Sequence, residues 1–317
     1  MNQGWIYKEQ IAKFAVGQTV LQYYTKRYRH STEAQWRARI ESHQILLDEK
    51  PTTANTKLRF GQKLAYHRPP WQEPPVPLSW EIIYEDRDLL IIDKPSGLPV
   101  LPGGGFLEHT LLARLQKLYP QNTPIPIHRL GRGTSGLMLL ARSKIAKSSL
   151  SKQIRNRTIT KVYLGLARGI ILEDKFSICD RIGKISHPVL GYIYGATPKG
   201  KEARSDCIVI QRNLDRTIVE VTILTGRPHQ IRIHLAAAGH PLVNDPLYQI
   251  GGIPKNSNFE DAIVKVNLKG DRDKIVTPGD CGYFLHAYRL GFTHPTSGRQ
   301  MSFTRTPPKE LKVKAID

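Results

Sequence analysis

The segment that most constrains this chain is a proline-rich stretch at residues 69–78, which reads PPWQEPPVPL. Five of its ten residues are proline, and proline lacks the N–H that a helix interior or a central strand requires. We therefore predict a linker. It divides the chain into a small N-terminal part, residues 1–68, and a large part, residues 79–317.

The charge of the chain points to a polyanionic partner. Its 317 residues include 47 Lys and Arg against 27 Asp and Glu, a formal net charge of +20, and nucleic acid is the most common partner of so basic a protein. No apolar run approaches the length of a membrane span, and residues 1–14 lack an apolar signal-peptide core. Three widely spaced cysteines argue against a disulfide scaffold or a cysteine zinc site. We expect a cytoplasmic protein.

The small part is predicted to contain two helices and short strands. Apolar residues recur at helical spacing over residues 19–28 and 33–43, and short apolar runs follow at 45–47 and 64–66. Arg37 and Arg39 are among the basic residues on the second helix. These helices suit an RNA-binding module, although basic residues also serve simply to solvate an exposed helix face.

The large part alternates strand-like and helix-like segments without a regular βαβα order, which favours an α+β fold with a mixed, mostly antiparallel sheet. Helices are predicted over 107–118, 145–154 and 229–238. Strands are predicted at 82–84, 89–92, 137–141, 162–167, 218–224, 284–292 and 301–303.

One stretch of the large part is strongly basic. Residues 142–168 hold eight Lys and Arg and no acidic residue, and such a stripe can neutralise several backbone phosphates. Its candidate RNA contacts are Lys152, Arg155 and Lys161.

A glycine-rich loop runs directly into an apolar strand at residues 127–141, IHRLGRGTSGLMLLA. His128 and Arg129 supply a polar tip, and Arg132 and Thr134 lie in the same loop. Glycines allow the backbone to approach a ligand closely. The loop is not a P-loop, because no GK[ST] follows it.

Two further segments carry reactive side chains in apolar surroundings. Tyr163 stands in the strand KVYLGLA, where a buried core tyrosine with a satisfied hydroxyl is the plainer interpretation. Arg232 stands in the helix of TGRPHQIRIHLAAAGHPLVNDPLY, and a buried arginine requires an anion. His229 and His234 are five residues apart, whereas zinc-binding helices place their histidines four apart.

These segments, preceded by EIIYEDRDLLIIDKPSGLPVLPG at 81–103 and followed by FLHAYRLGFTHPTSGRQMSFTRTPP at 284–308, resemble the RluA-like family of RNA pseudouridine synthases. The resemblance covers residues 79–308. The N-terminal part is similar, less closely, to the small αL-type RNA-binding module that often precedes this catalytic domain.

The resemblance implies an enzyme that isomerises uridine to pseudouridine in ribosomal or transfer RNA. The target base is flipped out into a pocket, and no cofactor or metal takes part. A monomer without an obligatory protein partner or a membrane is expected. By the same resemblance, Arg129 fills the space of the flipped base, Tyr163 stacks on that base near the C5 proton, and Arg232 pairs with the catalytic carboxylate.

One position departs from the family motif HRLDxxTSG. Gly131 stands where the catalytic aspartate is expected, and a glycine has no side chain with which to attack or to take a proton. Asp206, Asp245 and Asp93 are the nearest candidates for a substitute, and we expect none of them to serve. Either the enzyme acts by an altered arrangement, or the chain is an RNA-binding chaperone or assembly factor on a synthase scaffold.

Overall fold

A computed structural model describes residues 1–187, 189–255 and 276–313. The chain separates into two compact units. Unit 1 comprises Met1–Glu73 and Ser186–Ile193, and unit 2 comprises Pro74–Ile185 together with the described residues from Tyr194 onward. Residues 69–80 contain no helix or strand.

Unit 1 contains a four-stranded antiparallel sheet and two helices. Its elements are β1 (Trp5–Gln10), α1 (Val20–Arg27), α2 (Glu33–Glu41), β2 (Ile45–Leu47), β3 (Lys50–Pro51) and β4 (Lys63–Arg68), with sheet order β1-β4-β2-β3. Both predicted helices form. Thr19 and Thr32 start them through capping boxes with Gln22 and Gln35. Strand β1 was not predicted, because three of its six residues are polar or charged and follow one another without alternation.

Unit 2 contains a ten-stranded sheet flanked by helices. Its helices are α3 (Leu111–Leu118), α4 (Lys144–Arg155) and α5 (Gln230–Ala237). The strands of the large sheet are β5 (Glu81–Glu85), β6 (Leu89–Lys94), β7 (Ile125–Pro126), β8 (Ser135–Ala141), β9 (Thr160–Arg168), β10 (Lys175–Ile178), β13 (Ser205–Arg212), β14 (Arg216–Ile223), β17 (Leu285–Thr293) and β18 (Gln300–Thr304). Outside the large sheet, a small hairpin pairs β11 (Ile182–His187) with β12 (Gly191–Ala196), and its residues Ser186–Ile193 belong to unit 1. A second hairpin pairs β15 (Tyr248–Gln249) with β16 (Ile253–Pro254).

The large sheet is mixed and mostly antiparallel, as predicted. Its main order is β10-β13-β14-β9-β17-β8-β6-β5, and β8 with β17 is the parallel pair. Gly136 lies in that pair with a φ of +105°, and a Cβ there would lie 2.4 Å from the Ala287 carbonyl oxygen. This close approach of two backbones explains the glycine that ends the TSG motif.

Both faces of the large sheet are covered at β8, which explains the unbroken apolar run of this strand. Leu137 and Leu139 face a cluster that includes residues of α4, while Met138 and Leu140 face a cluster that includes residues of α3 and α5. The predicted helix over 107–118 begins only at Leu111, because the Thr110 hydroxyl accepts from the Ala113 N–H and caps it there.

Helix α5 is almost entirely buried, although its sequence contains glutamine, arginine and histidine. Its polar side chains are satisfied internally: His234 contacts the Ser205 hydroxyl at 2.9 Å, and Gln230 hydrogen-bonds Thr225 at 2.7 Å. The helix starts one residue later than predicted, because His229 adopts a left-handed φ of 55°. Such a helix places Arg232 at a fixed point in the interior.

Candidate active site

A cavity of about 600 Å³ opens beside the loop that precedes β8. Residues 226–232, strand β9 and Tyr283 complete its walls. Its volume suits a small-molecule or nucleoside site. The cavity brings together eight residues singled out in the sequence: His128, Arg129, Gly131, Arg132, Thr134, Lys161, Tyr163 and Arg232.

The cavity is positively charged. Among its described lining residues are Arg129, Arg132, Lys161, Arg227 and Arg232, and none of these lining residues is an Asp or Glu. Burial lowers the pKa of Lys161. A wall of this composition attracts a polyanion.

The glycine-rich loop is fixed to the KPSG turn by its backbone. The Gly97 N–H donates to the Arg132 carbonyl at 2.7 Å, and the Ser96 hydroxyl donates to the Gly133 carbonyl at 2.8 Å. Lys94, fully buried, donates to the carbonyls of Pro95, Leu98 and Arg132. Burial lowers the pKa of Lys94 to about 7. The lysine of this turn therefore shapes the loop.

Two cavity histidines are neutral structural groups. His128 accepts from the Leu139 N–H at 3.1 Å, and burial lowers its pKa to about 4. Burial, reinforced by Arg232, also lowers the pKa of His229 to about 4, and its Nδ1 lies 2.8 Å from the Tyr248 hydroxyl. A neutral imidazole does not supply a cation for phosphate.

The polar ends of Arg129 and Tyr163 face the cavity without a protein partner. Within the described ranges, neither the Arg129 guanidinium nor the Tyr163 hydroxyl makes a hydrogen bond or ion pair. Tyr163 is 7% exposed, and burial raises its pKa. Both groups are available to a ligand, which the plainer interpretation of Tyr163 as a satisfied core tyrosine did not anticipate.

Arg132 and Thr134 are engaged within the protein. Arg132 donates to the Gly279 carbonyl at 2.6 Å and lies 3.7 Å from Asp280. The Thr134 hydroxyl is buried 3.4 Å from the hydroxyl of Tyr283.

By the family resemblance Arg232 pairs with the catalytic carboxylate, which is absent at position 131, and the structure shows that Arg232 pairs with Asp245 instead. Arg232 donates through Nε and Nη2 to the two carboxylate oxygens of Asp245, each at 2.7 Å, and both side chains are buried. Asp245 also accepts from the N–H groups of Leu247 and Tyr248, so it serves its turn as well. Although burial raises the pKa of Asp245, the hydrogen bonds from Arg232 hold it below its usual value.

None of the three candidate carboxylates lines the cavity. Asp206 lies on β13 and hydrogen-bonds Ser177 and Arg204. Asp93 pairs with Arg305. Both oxygens of Asp245 are engaged by Arg232, so the structure leaves no carboxylate of this set free to act.

Tyr283 occupies the space next to Gly131. A Cβ at Gly131 would lie 2.9 Å from the Tyr283 hydroxyl oxygen, and a Cβ at Gly133 would lie 2.9 Å from Cζ of the same ring. The ring also covers the Arg232 guanidinium, at 4.2 Å from its centroid. Gly131 and Gly133, the two glycines that depart from the family motif, therefore leave the space that the buried Tyr283 side chain occupies.

The other predicted RNA contacts lie outside this cavity. Lys152 and Arg155 are exposed on α4, and Arg155 lines a neighbouring cavity of about 320 Å³ that shares Lys161. In unit 1, exposed Arg37 pairs with Glu33 at 3.1 Å. Arg39 lies over the Trp36 ring at 4.4 Å.

Neither a metal centre nor a membrane span is found in the parts of the chain that the structure describes. No group of three or more His, Cys, Asp or Glu side chains in these ranges could hold a metal ion. No helix there has the length and apolar character to cross a bilayer.

Sequence reasoning missed Tyr283 and the pairing of Asp245 with Arg232. Tyr283 stands in CGYFLHA, where no local pattern separates it from the strand that follows. Its contact with Thr134 joins residues 149 positions apart. A signal did exist for Asp245, since a buried arginine in α5 demanded an anion and Asp245 follows closely in the same segment.

The fold is mixed α+β, and its basic, partly aromatic cavity has the composition of a site for an RNA base. A family model described as RNA pseudouridylate synthase matches residues 88–237. An uncharacterized RNA pseudouridine synthase of Synechocystis sp. is 45% identical over 94% of this chain and 98% of its own length. Ribosomal large subunit pseudouridine synthase D of Neisseria meningitidis is 33% identical over 90% of this chain and 73% of its own.

Among solved structures, human RNA pseudouridylate synthase domain containing 1 matches with a TM-score of 0.55 and 26% identity, over 76% of this chain and 89% of that chain. The chain belongs to the RluA-like family of RNA pseudouridine synthases. It is an RNA pseudouridine synthase and therefore an isomerase. The presence of Gly131 had left open a second possibility, an RNA-binding protein without catalytic activity. The comparisons favour the enzyme.

Proposed function

We propose that this chain isomerises a flipped-out uridine of structured ribosomal or transfer RNA within the cavity beside β8, as a cytoplasmic monomer without cofactor. The observation that carries the proposal is the meeting of Arg129, Tyr163 and Arg232 at one cavity of about 600 Å³. The name of the Neisseria relative, which specifies the ribosomal large subunit, supports ribosomal RNA as one substrate.

In this proposal the open wall of the cavity receives the base. The Tyr163 ring stacks on the uracil, and Arg129, which has no protein partner, fills the gap left in the RNA helix. Extrusion of a base costs a few kcal/mol, which these contacts offset. His128 supports the loop in its neutral form.

Basic side chains around the cavity would bind the RNA backbone. Lys152 and Arg155 on α4 and Lys161 at the cavity edge supply charge for phosphates. Residues 1–68 are proposed to be an RNA-binding module that uses Arg37 and Arg39, residues 69–78 a linker, and residues 79–317 the catalytic domain.

The test is release of tritium from C5-labelled uridine in transfer RNA and in ribosomal RNA fragments, without added cofactor. The proposal expects release in step with pseudouridine formation from at least one RNA class. The same RNAs labelled at C5 of cytidine are the matched control and should release nothing. Binding of both RNA classes without any release would instead identify a non-catalytic RNA-binding protein.

A further inference from the structure

Gly131 is a glycine for reasons of volume rather than backbone conformation. Its φ lies outside the left-handed region, so a side chain would meet no backbone strain there. The obstacle is the Tyr283 hydroxyl oxygen, 2.9 Å from the position of a Cβ, with the Thr134 hydroxyl next at 3.4 Å. The first atom of any side chain at position 131 would therefore contact that hydroxyl.

The surroundings of Tyr283 hold its ring in place at the cavity wall. Gly133 leaves room for the ring, since a Cβ there would lie within 3.0 Å of two ring carbons. Arg232 holds the ring from one side at 4.2 Å, and the guanidinium is itself fixed by Asp245. Tyr283 is 4% exposed, and it lines the cavity together with Tyr163.

We propose that the Tyr283 hydroxyl takes the place of the missing aspartate carboxylate and is the acid–base group that contacts the flipped uridine. The inference rests on the proposed function of this cavity. It explains why Gly131, Gly133 and Tyr283 occur together, and why Arg232 remains in a pocket that lacks a carboxylate at position 131.

The reaction that this residue would serve is balanced in protons and electrons. The C1′–N1 bond breaks with its electron pair leaving on N1, and a C1′–C5 bond forms; nothing is oxidised or reduced. Tyr283 gives its proton to N1. The resulting phenolate then takes the proton that C5 loses, so the tyrosine is regenerated and the C5 label reaches water.

The environment suits both halves of that cycle. Burial raises the pKa of Tyr283, so the hydroxyl keeps its proton at neutral pH and can donate it. Arg232 and the Thr134 hydroxyl act in the opposite direction on the same pKa, and they would stabilise the transient phenolate.

The first variant is Tyr283→Phe, which removes one oxygen and keeps the ring over Arg232. We expect tritium release to fall at least about 100-fold, the usual effect of losing an acid–base group, with RNA affinity unchanged and Tm slightly lowered by the loss of the contact with the Thr134 hydroxyl. Tyr84→Phe is the matched control, because it removes a tyrosine hydroxyl that hydrogen-bonds Asp86, and neither residue lines the cavity. Its rate should equal that of the wild type.

Two double variants separate chemistry from packing. Gly131→Ala with Tyr283→Phe refills the hydroxyl volume with a methyl group and should stay at least about 100-fold slow even if Tyr283→Phe alone folds poorly. Gly131→Asp with Tyr283→Phe returns a carboxylate to the same place and should be at least about tenfold faster than that alanine variant.

The outcomes distinguish the inference from the function on which it rests. No release by the wild type from any RNA would overturn both. A second outcome would overturn only the role of Tyr283. It is that the wild type releases tritium and that Tyr283→Phe, or its double variant with Gly131→Ala, does so at a rate within threefold of the wild-type rate (~0.65 kcal/mol in barrier). Equal rates for the alanine and aspartate double variants would also contradict it.

Discussion

The two walls of the cavity differ in how far their polar groups are already satisfied. On the open wall, Arg129 and the Tyr163 hydroxyl have no partner in the described structure. On the closed wall, Arg232 is held by Asp245 and covered by Tyr283, whose hydroxyl lies beside Thr134. The open wall is built to meet a ligand. The closed wall is a packed unit in which each part depends on the others, so its variants should change stability first.

The sharpest test of the closed wall is Arg232→Met, which leaves Asp245 charged and buried without its partner. We expect the free energy of unfolding to fall by about 3–5 kcal/mol in urea denaturation. The matched variant Arg289→Met breaks an ion pair with Glu220 in which the arginine is exposed, and it should cost less than about 1 kcal/mol. Similar losses of stability in the two variants would contradict the claim that the closed wall depends on the buried pair of Arg232 and Asp245.

A pair of glycine variants separates backbone requirements from volume. Gly136→Ala combines a φ of +105° with a Cβ 2.4 Å from a carbonyl oxygen, and should lower the free energy of unfolding by about 3 kcal/mol. Gly131→Ala brings its Cβ closer than 3.0 Å only to the Tyr283 hydroxyl oxygen, and it should cost about 1 kcal/mol. Adding Tyr283→Phe should restore the stability of the Gly131→Ala variant but not that of the Gly136→Ala variant, as measured by thermal denaturation.

Acid should lower the stability of the protein through His128 and His229, which both line the cavity. Each has a pKa of about 4 in the folded protein, below its ordinary value of 6.5. Because the unfolded chain binds these protons more tightly, stability is full above pH 6.5 and is lost as the pH falls toward 4. We expect each histidine to remove about 2 kcal/mol between pH 7 and pH 5. In the variant His128→Asn, the stability lost between pH 7 and pH 5 should be smaller by that amount. If the lost stability is the same as in the wild type, His128 is not a cause of the acid sensitivity.

The smallest effect is expected on the open wall. Arg129→Ala should leave Tm unchanged, weaken RNA binding about tenfold and reduce the salt dependence of binding by about one phosphate contact. The comparison is Arg132→Ala, which removes the contacts with Gly279 and Asp280 and should lower Tm. A drop in Tm for Arg129→Ala would show that the open wall is also structural.

Local sequence patterns were sufficient for much of the fold, whereas the residues of the open wall were identified through the family resemblance. The apolar run of β8 and the periodicity of α4 and α5 predicted these elements within a residue or two, because buried strands and helices impose local periods. Motif residues Arg129, Tyr163 and Arg232 meet at one cavity, as the family resemblance implied.

The closed wall could not be predicted in the same way, because its contacts are set by tertiary packing. Asp245 serves a turn through Leu247 and Tyr248, and only the folded chain shows that it also neutralises Arg232. Tyr283 reaches Gly131 from the far end of the chain, and a glycine gives no sequence signal of what fills its space. Strand β10 was missed because it has only four residues. Strand β13 was missed because Ile208 and Ile210 lie on its exposed face, so its apolar residues do not alternate with polar ones.

The central claim is that chemistry proceeds in this cavity although position 131 carries no carboxylate. The most direct measurement is the amount of tritium that the wild-type protein releases from RNA labelled at C5 of uridine, compared with the pseudouridine formed in the same sample. The account predicts equal, catalytic amounts of both without cofactor. If the protein binds the RNA but forms neither free tritium nor pseudouridine, even with excess enzyme and long incubation, the claim is contradicted.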